Sequence, residues 1–295
     1  MSKEEIVDYK KTKKRLDGRK MDELRPLSIK VGVIPNADGS AYLEWGQNKV
    51  YAAVYGPREA LPKHTQNPYK AVIKAVYRMA SFSVPDRKRP GPNRRDHEIS
   101  KVLSEALEKV VFVNQFPNTE IAVMVEVADS NAGSRVACLA AAACALADAG
   151  IPMKDLVSAV GVGKAFNEIV LDLNKDEEDA PDAVDVPFAI MPNTGEIVLL
   201  QMDGLLTRKE WDSVSALGIK GCQQVYEVQK KALTERFTVE ELNKKAVEKA
   251  VGVEINSNKE VMSEKKVDKK EKEVKAEKKG KEDKAKKVRK WDQLF

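Results

Sequence analysis

Three short segments hold the side chains best suited to chemistry, and all three suit phosphate groups. The first is a basic strip from Ala60 to Arg95, with nine lysines and arginines and a single acid, Asp86. Such a concentration of positive charge attracts phosphate backbones. Adjacent Arg94 and Arg95 close a Pro- and Gly-containing loop, where each could clamp a phosphate through two hydrogen bonds. A solvated basic loop without a ligand is the alternative.

The second segment, Asn131–Arg135, lies between a predicted strand and a predicted Ala-rich helix. Gly133 permits a tight turn, and backbone N–H groups at the start of a helix attract an anion. Ser134 adds a hydroxyl and Arg135 adds a cation, so the segment could bind a free or esterified phosphate. A Gly-Ser pair before a helix is also a common N-cap, and the sequence leaves both interpretations open.

The third segment is an acidic bend that contains Asp179 and Asp185, six residues apart across a proline. Asp185 begins an apolar predicted strand. Two carboxylates brought together in this way could hold Mg²⁺, and one of them, if its pKa were raised, could act as a general acid. An exposed acidic loop is the alternative.

The elements that must position these segments alternate between strand and helix periodicity. Alternating apolar residues predict strands at 27–34, 40–45, 49–54, 71–82, 121–127, 159–166, 168–172, 183–191 and 197–202. Helical spacing predicts helices at 96–111 and 134–149, and a capping box of Thr207 and Glu210 opens a third, which runs to residue 236. This order predicts an α+β fold with a mixed sheet and packed helices, and not an alternating parallel α/β fold.

Charge divides the 295-residue chain into a body and a tail. Residues 257–295 hold fifteen basic and nine acidic side chains, a net charge of +6, whereas the rest of the chain holds 36 and 37. The tail composition predicts disorder or a transient helix, because it offers little apolar surface to bury. We predict an N-terminal unit at 1–150, a C-terminal unit at 151–245 and a charged tail at 246–295.

Composition also excludes several classes of protein. No stretch approaches the roughly 18 apolar residues of a membrane span, and the N-terminus lacks the apolar core of a signal peptide. We therefore expect a cytoplasmic protein without a membrane partner. Cys138, Cys144 and Cys222 form no Cys-x-x-Cys pair, which argues against a disulfide framework and a structural zinc site.

Taken together with several shorter motifs, the three segments resemble the RNase PH family, most closely the catalytic RNase PH-like subunits of the archaeal exosome. The resemblance spans about residues 15–237. The shorter motifs are Arg15-Leu-Asp-Gly-Arg19, Glu23-Leu-Arg-Pro26, Val54-Tyr-Gly-Pro57, Phe82-Ser83, Leu146-Ala-Asp-Ala-Gly-Ile-Pro152 and Leu171-Asp-Leu-Asn174. The resemblance implies paired β-α units with a ribosomal protein S5 domain 2-like architecture.

The resemblance further implies 3′→5′ phosphorolysis of single-stranded RNA, with inorganic phosphate as co-substrate and a nucleoside diphosphate as product. Run in reverse, the same reaction adds tails to RNA. By the same resemblance, Gly133, Ser134 and Arg135 match the phosphate-binding turn of the family. Arg94 and Arg95 match its arginine pair at the RNA backbone near the 3′ end.

Asp179 and Asp185 match the two catalytic aspartates of the family, which act as general acid, as Mg²⁺ ligands or as both. Lys63 stands where the family usually has an arginine that contacts RNA in a central pore, so the charge is kept but bidentate contact is lost. The usual aromatic-Gly-Glu stretch between the aspartates is replaced by Ala180-Pro-Asp-Ala-Val184.

Exosome relatives imply a ring built as a trimer of heterodimers, in which catalytic chains alternate with non-catalytic RNase PH-like partners. S1- or KH-type RNA-binding subunits cap such rings. Two other interpretations stay open: a non-catalytic ring scaffold that guides RNA, and a homohexameric RNase PH that trims the 3′ ends of tRNA. The number of chain types in the ring would separate the last of these from the exosome.

The charged tail leads to a first prediction. If it recruits RNA, truncation after Val253 should weaken RNA binding at low salt, because a basic tail binds phosphates through counterion release. Turnover of RNA that is already bound should not change. Binding isotherms and single-turnover rates, measured on both chains, test this, and equal affinity with and without the tail would contradict it.

Overall fold

Two β-sheets and four α-helices make up the fold in the computed structural model, which describes residue 15 and residues 17–238. Met1–Arg236 belong to one unit, and Phe237–Phe295 form a second, of which only residues 237 and 238 are described. The predicted tail at 246–295 therefore lies outside the described residues. The predicted boundary at residue 150 falls in the connection between the second helix and the sixth strand.

The first sheet has five strands in the order β1-β2-β3-β5-β4. Strands β4 and β5 are parallel and the other pairs are antiparallel, which confirms the predicted mixed sheet. The apolar residues of β5 alternate because one face of the strand lies in the core. On that face, Ile121, Val123, Val125 and Val127 are all fully buried. The strands are β1 (Leu27–Val31), β2 (Gly39–Trp45), β3 (Asn48–Glu59), β4 (Val72–Met79) and β5 (Thr119–Asp129).

The second sheet has four antiparallel strands in the order β7-β6-β8-β9. The turn at 193–195 joins β8 to β9, as its Asn-Thr-Gly sequence predicts. The strands are β6 (Ser158–Ala165), β7 (Glu168–Leu171), β8 (Val184–Ile190) and β9 (Ile197–Leu200).

Two predicted strands end earlier than their apolar pattern suggests. Strand β1 stops at Val31 because Gly32 has a φ of +73°, which takes the chain out of the sheet. Strand β4 stops at Met79, and the N–H of Ser83 then donates to the carbonyl of Ala80 at 3.1 Å. The chain therefore turns where the sequence pattern continues the strand to residue 82.

Helix α2 forms the centre of the fold, because it packs on strands of both sheets. Its residues from 136 to 146 are all buried. The small alanine side chains permit a close approach: a Cβ on Gly39 of β2 would lie 2.4 Å from the carbonyl oxygen of Ala145. The helices are α1 (Arg94–Val110), α2 (Ser134–Asp148), α3 (Lys175–Glu178) and α4 (residues 208–238).

The predicted capping box at the start of α4 is confirmed. Thr207 and Glu210 cap α4, with the Thr207 N–H donating to Glu210 Oε2 at 2.7 Å. Cys138, Cys144 and Cys222 are free and buried. Within the described part of the chain, no helix has both the length and the apolar composition that a membrane crossing needs.

Candidate active site

A cavity of about 660 Å³ brings together most of the side chains singled out in the sequence. Its walls come from the start of α1, the turn before α2, strand β8 and the loop after β9. The lining residues are Arg94, Arg95, Glu98, Gly133, Ser134, Arg135, Val136, Gly161, Glu178, Asp185, Pro187, Gln201, Met202 and Asp203. The basic loop, the anion turn and one of the two aspartates therefore share one site.

The turn before α2 presents free backbone donors to this cavity. Gly133 is the N-cap with a φ of +66°, and no side chain among the described residues caps the helix. The first backbone bond of the helix runs from the N–H of Ala137 to the carbonyl of Gly133, so the N–H groups that precede Ala137 lack intrahelical acceptors. A phosphate placed here would receive those N–H groups and the positive end of the helix dipole.

Ser134 directly follows Gly133, the N-cap of α2. It is the first residue of α2, is 3% exposed, and its hydroxyl lies 3.0 Å from the hydroxyl of Tyr77 on β4. Burial raises the pKa of Tyr77, so this phenol stays protonated and can share a proton with Ser134. The Ser134 side chain therefore ties the turn to the first sheet.

Arg135 is held with its guanidinium beside the cavity. One terminal nitrogen donates to Gln201 Oε1, and the other donates to Glu98 Oε1 at 3.2 Å. Its Nε is buried and has no hydrogen-bond partner among the described residues. A buried donor without an acceptor is costly, and an anion in the cavity is a suitable acceptor.

Arg94 and Arg95 form the first turn of α1, which Asn93 caps in a reciprocal capping box with Asp96. Lys88 pairs with Asp96 at 2.7 Å and so fixes the loop to the helix. Both arginines are exposed, and neither makes an ion pair within the described part of the chain. Their charge is therefore available to a polyanion.

Asp185 lies on β8, where its backbone exchanges hydrogen bonds of 3.1 and 2.9 Å with Asp203. Burial raises the pKa of Asp185 to about 6, and repulsion from Glu178 and Asp203 adds to this shift. Arg135 and Arg95 act in the opposite direction. A carboxyl group with this pKa exchanges protons near neutral pH, as a general acid must.

Two predicted site residues lie outside the cavity. Asp179 is the C-cap that follows α3. Its carboxylate lies 2.6 Å from Lys175 Nζ, and its side chain is 62% exposed. Lys63 is exposed in a short 3₁₀ turn, Lys63–Thr65, between β3 and β4. The structure thus brings Glu178, one residue earlier, into the cavity in place of Asp179.

The turn before α2 rests on a buried ion pair between Arg25 and Asp172. Arg25 donates to Asp172 Oδ1 at 2.6 Å and to Oδ2 at 2.9 Å, and also to the carbonyl of Asn131. The indole N–H of Trp45 donates to the same carboxylate at 2.9 Å. On the other side, Asn48 donates to the carbonyl of Ala132 at 2.7 Å.

A second buried pair positions α3. Arg15 donates through two nitrogens to the carboxylate of Glu177, and also to the carbonyls of Leu171 and Asp172. The N–H of Lys175, at the start of α3, donates to Asn131 Oδ1 at 2.9 Å. The N-terminal motifs therefore connect the anion turn with the acidic helix.

Sequence reasoning missed the cavity residues Glu98, Glu178, Gln201 and Asp203. Each is a common polar residue without a distinctive spacing, and each enters the site through pairing between distant segments. Asp203 had one usable signal, because it follows a predicted strand that pairs with the strand of Asp185.

Comparison with known proteins agrees with this geometry. Residues 23–152 match domain 1 of the 3′ exoribonuclease family, and residues 155–221 match domain 2. The exosome complex component Rrp41 of Thermococcus kodakarensis is 57% identical over 224 residues, which cover 76% of this chain and 90% of that protein. Rrp41 of Thermoplasma volcanium is 53% identical over 226 residues, 77% of this chain and 91% of that protein.

Two solved structures share the fold. The crystal structure of rice (Oryza sativa) Rrp46 has a TM-score of 0.67 and 26% identity, and the match covers 75% of this chain and all of that one. An Archaeoglobus fulgidus exosome with RNA bound to the active site has a TM-score of 0.65 and 22% identity over 75% and 95% of the two chains. Both domain models match, and more than half of the aligned residues are identical in these relatives, so the chain belongs to the RNase PH family of 3′ exoribonucleases.

Proposed function

We propose that this chain is the catalytic subunit of an exosome and degrades single-stranded RNA from the 3′ end by phosphorolysis. The observation that carries the proposal is the single cavity in which the open start of α2 and an arginine pair face Asp185. Relatives more than half identical over most of the chain are named exosome components, which supports the same assignment.

Inorganic phosphate would bind at the start of α2, where free N–H groups and Arg135 surround it. Arg94 and Arg95, at the entrance of the same cavity, would bind the RNA backbone. Both reactants are anionic, so these N–H groups and arginines lower the cost of bringing them together. Holding them in one cavity also removes the entropic cost of a chance encounter.

Asp185 would act as the general acid. An oxygen of inorganic phosphate forms a bond to the phosphorus of the terminal phosphodiester, and the bond from that phosphorus to the 3′-oxygen of the preceding nucleotide breaks. The proton of the Asp185 carboxyl group passes to that 3′-oxygen, which leaves as a hydroxyl. The terminal nucleotide departs as a nucleoside diphosphate.

The predicted Mg²⁺ would bind through one or two of the carboxylates that line the cavity, those of Asp185, Glu178 and Asp203. Asp179, the other predicted ligand, lies outside the cavity. Within the described residues, no three His, Cys, Asp or Glu side chains converge as a metal site. This fits Mg²⁺ when one or two carboxylates, water and substrate phosphates complete its coordination. When bound, the ion would neutralise charge on the phosphate oxygens.

The proposal includes an assembly and a location. A non-catalytic RNase PH-like chain would alternate with this one in a ring of three heterodimers, capped by S1- or KH-type subunits, in the cytoplasm. The burial of Asp185, which raises its pKa to about 6, favours the catalytic chain over the non-catalytic scaffold, because a scaffold needs no such carboxyl group. A homohexameric RNase PH would instead purify as one chain type.

The test is to purify the tagged full chain with its partners from its own cells and add single-stranded RNA, with and without phosphate. Nucleoside diphosphates that form only with phosphate are the expected result. Nucleoside monophosphates formed regardless of phosphate would show hydrolysis instead, and no product from an intact assembly would favour the scaffold. The number of chain types tests the ring.

The arginine pair gives a further prediction. Replacing both Arg94 and Arg95 by Ala should weaken RNA binding and reduce the slope of log affinity against log salt by about 2, since each contact releases about one counterion. Titrations at several salt concentrations measure the slope. Arg208→Ala with Lys231→Ala removes two exposed charges of α4 and is the control; an equal change in slope there would contradict a specific role for the pair.

A further inference from the structure

Tyr77 is a buried residue of the first sheet whose hydroxyl group reaches the turn before α2. It lies on β4, is 1% exposed, and its hydroxyl is 3.0 Å from the hydroxyl of Ser134. Ser134 lines the candidate active site, whereas Tyr77 lies behind it and does not. The two hydroxyl groups therefore connect the interior of the sheet to the cavity.

Two neighbouring elements hold the backbone of Tyr77 in place. On one side, Tyr77 pairs with Val125 of β5. On the other side β4 is the edge of the sheet, and the N–H of Tyr77 donates to the hydroxyl of Ser100 on α1 at 2.9 Å. The Ser100 hydroxyl donates in turn to the carbonyl of Asp96 at 2.6 Å. A phenol that is fixed in this way can orient a neighbouring hydroxyl group.

The direction of the hydrogen bond between the two hydroxyls follows from the acceptors that each can reach. If Ser134 donated to Tyr77, the phenol hydrogen would have no acceptor in the interior, because this hydroxyl makes no second hydrogen bond among the described residues. A buried donor left unpaired is costly. If Tyr77 donates instead, the hydrogen of Ser134 is free at the cavity, where a bound anion can accept it.

The hydroxyl of Ser134 is not used to cap the helix. Ser134 follows the N-cap Gly133, and no side chain in the described part of the chain caps α2. The hydroxyl therefore does not compete for the backbone N–H groups at the helix start. Those N–H groups and the Ser134 hydroxyl are available to the same anion.

We propose that Tyr77 is a positioning residue for inorganic phosphate: its hydroxyl donates to Ser134 and so directs the hydroxyl hydrogen of Ser134 toward the bound anion. This inference rests on the proposed function, because it takes phosphate to bind at the start of α2. A hydroxyl that accepts one hydrogen bond donates a stronger one, above all to an anion. Tyr77 therefore adds to phosphate affinity without touching phosphate, and it adds nothing to RNA binding by Arg94 and Arg95.

The test measures phosphate binding without turnover, by calorimetry on the full chain in its purified assembly. Tyr77→Phe keeps the ring and removes only the hydroxyl. It should weaken binding of inorganic phosphate by about 2- to 12-fold, the contribution of one hydrogen bond, and leave binding of single-stranded RNA unchanged. Tyr42→Phe is the matched control, because the Tyr42 hydroxyl also lies on the first sheet but donates to Glu44 at 2.6 Å, outside the cavity. The control should change neither affinity.

A second pair of variants separates positioning from a general effect on folding. Ser134→Ala should itself weaken phosphate binding. If Tyr77 acts through Ser134, adding Tyr77→Phe to Ser134→Ala should weaken binding no further, since the effects of coupled residues do not add. A purely structural role of the phenol would instead lower the affinity in both backgrounds.

Three outcomes would overturn the inference. The first is a Tyr77→Phe variant that binds phosphate as tightly as the wild type, and the second is a loss of RNA affinity together with phosphate affinity. The third is a double variant that binds phosphate more weakly than Ser134→Ala alone. Since no measurement here needs catalysis, an assembly that binds phosphate as expected but makes no diphosphate would contradict only the proposed function. A wild type that binds no phosphate would contradict both.

Discussion

Replacing Asp185 by Asn should lower the rate of phosphorolysis by about 10²- to 10⁴-fold, the usual contribution of a general acid. An amide cannot give a proton to the leaving 3′-oxygen. RNA binding should stay the same or tighten, because the change removes a negative charge from a cavity that binds polyanions. Single-turnover rates and binding isotherms separate the two effects.

Asp179→Asn is the matched comparison, because Asp179 is exposed and pairs with Lys175 outside the cavity. The structure predicts a smaller loss of rate for this variant than for Asp185→Asn. An equal loss would contradict the placement of Asp179 outside the site, and normal turnover by Asp185→Asn would contradict the proton-donor role.

Because the pKa of Asp185 is raised, both the activity and the stability of the protein should depend on pH. Only the protonated acid can donate, so wild-type activity should fall above about pH 6 as the carboxyl group ionises, whereas the residual activity of Asp185→Asn should lack this step. The folded state holds the proton of Asp185 more tightly than the unfolded chain does, so the free energy of unfolding falls as pH rises from about 4 to about 6.

Above that range the buried charge destabilises the wild type. We therefore expect Asp185→Asn to raise the Tm at pH 7.5 by about 2–10 °C, and the difference to vanish below pH 4. Calorimetry in EDTA measures this without interference from divalent cations. A wild type that is more stable than the variant at pH 7.5 would contradict a destabilising buried charge on Asp185.

Asp172→Asn should have the largest effect on stability. It removes the negative charge that Arg25 faces in the interior, and a buried charge left without its partner costs about 3–5 kcal/mol. For a unit of this size the Tm should fall by about 6–20 °C. Asp172 has a φ of +59°, which Asn tolerates, so the backbone itself is not strained by the change.

The same variant should also raise the KM for phosphate more than the KM for RNA. Arg25 bonds the carbonyl of Asn131 and so fixes the turn that receives phosphate, whereas Arg94 and Arg95 lie on a different element. Glu235→Gln, which breaks an exposed pair with Lys231, is the control and should leave Tm and both KM values unchanged. A uniform rise of both KM values would show a general loss of folding instead.

The sequence was sufficient for what local patterns determine. The alternation in β5, the apolar stripe of α1 and the cap of α4 each depend on neighbours a few residues apart, and each appears as predicted. The anion turn was also readable, because a glycine before an Ala-rich helix has a local meaning. The roles of Asp179 and Asp185 entered through resemblance to a family, and they stay predictions.

What the sequence could not provide depends on pairs that are far apart in the chain. Asp172 and Arg25 are 147 residues apart, and Arg15 and Glu177 are 162 residues apart. Nothing in the sequence around any of these four residues identifies its partner. Likewise, α3 turns Glu178 toward the cavity and Asp179 toward Lys175, and a difference of one helical position is set by packing and not by composition.

The pairing of Arg15 with Glu177 has a consequence for synthesis of the protein. At about 5–20 residues per second, the ribosome needs roughly 8–30 s to translate the 162 residues between them. During that interval the turn at 131–135 has been made, but Asp172 and Glu177, which complete its support, have not. A nascent chain therefore cannot present a finished site to RNA until most of its body has been translated.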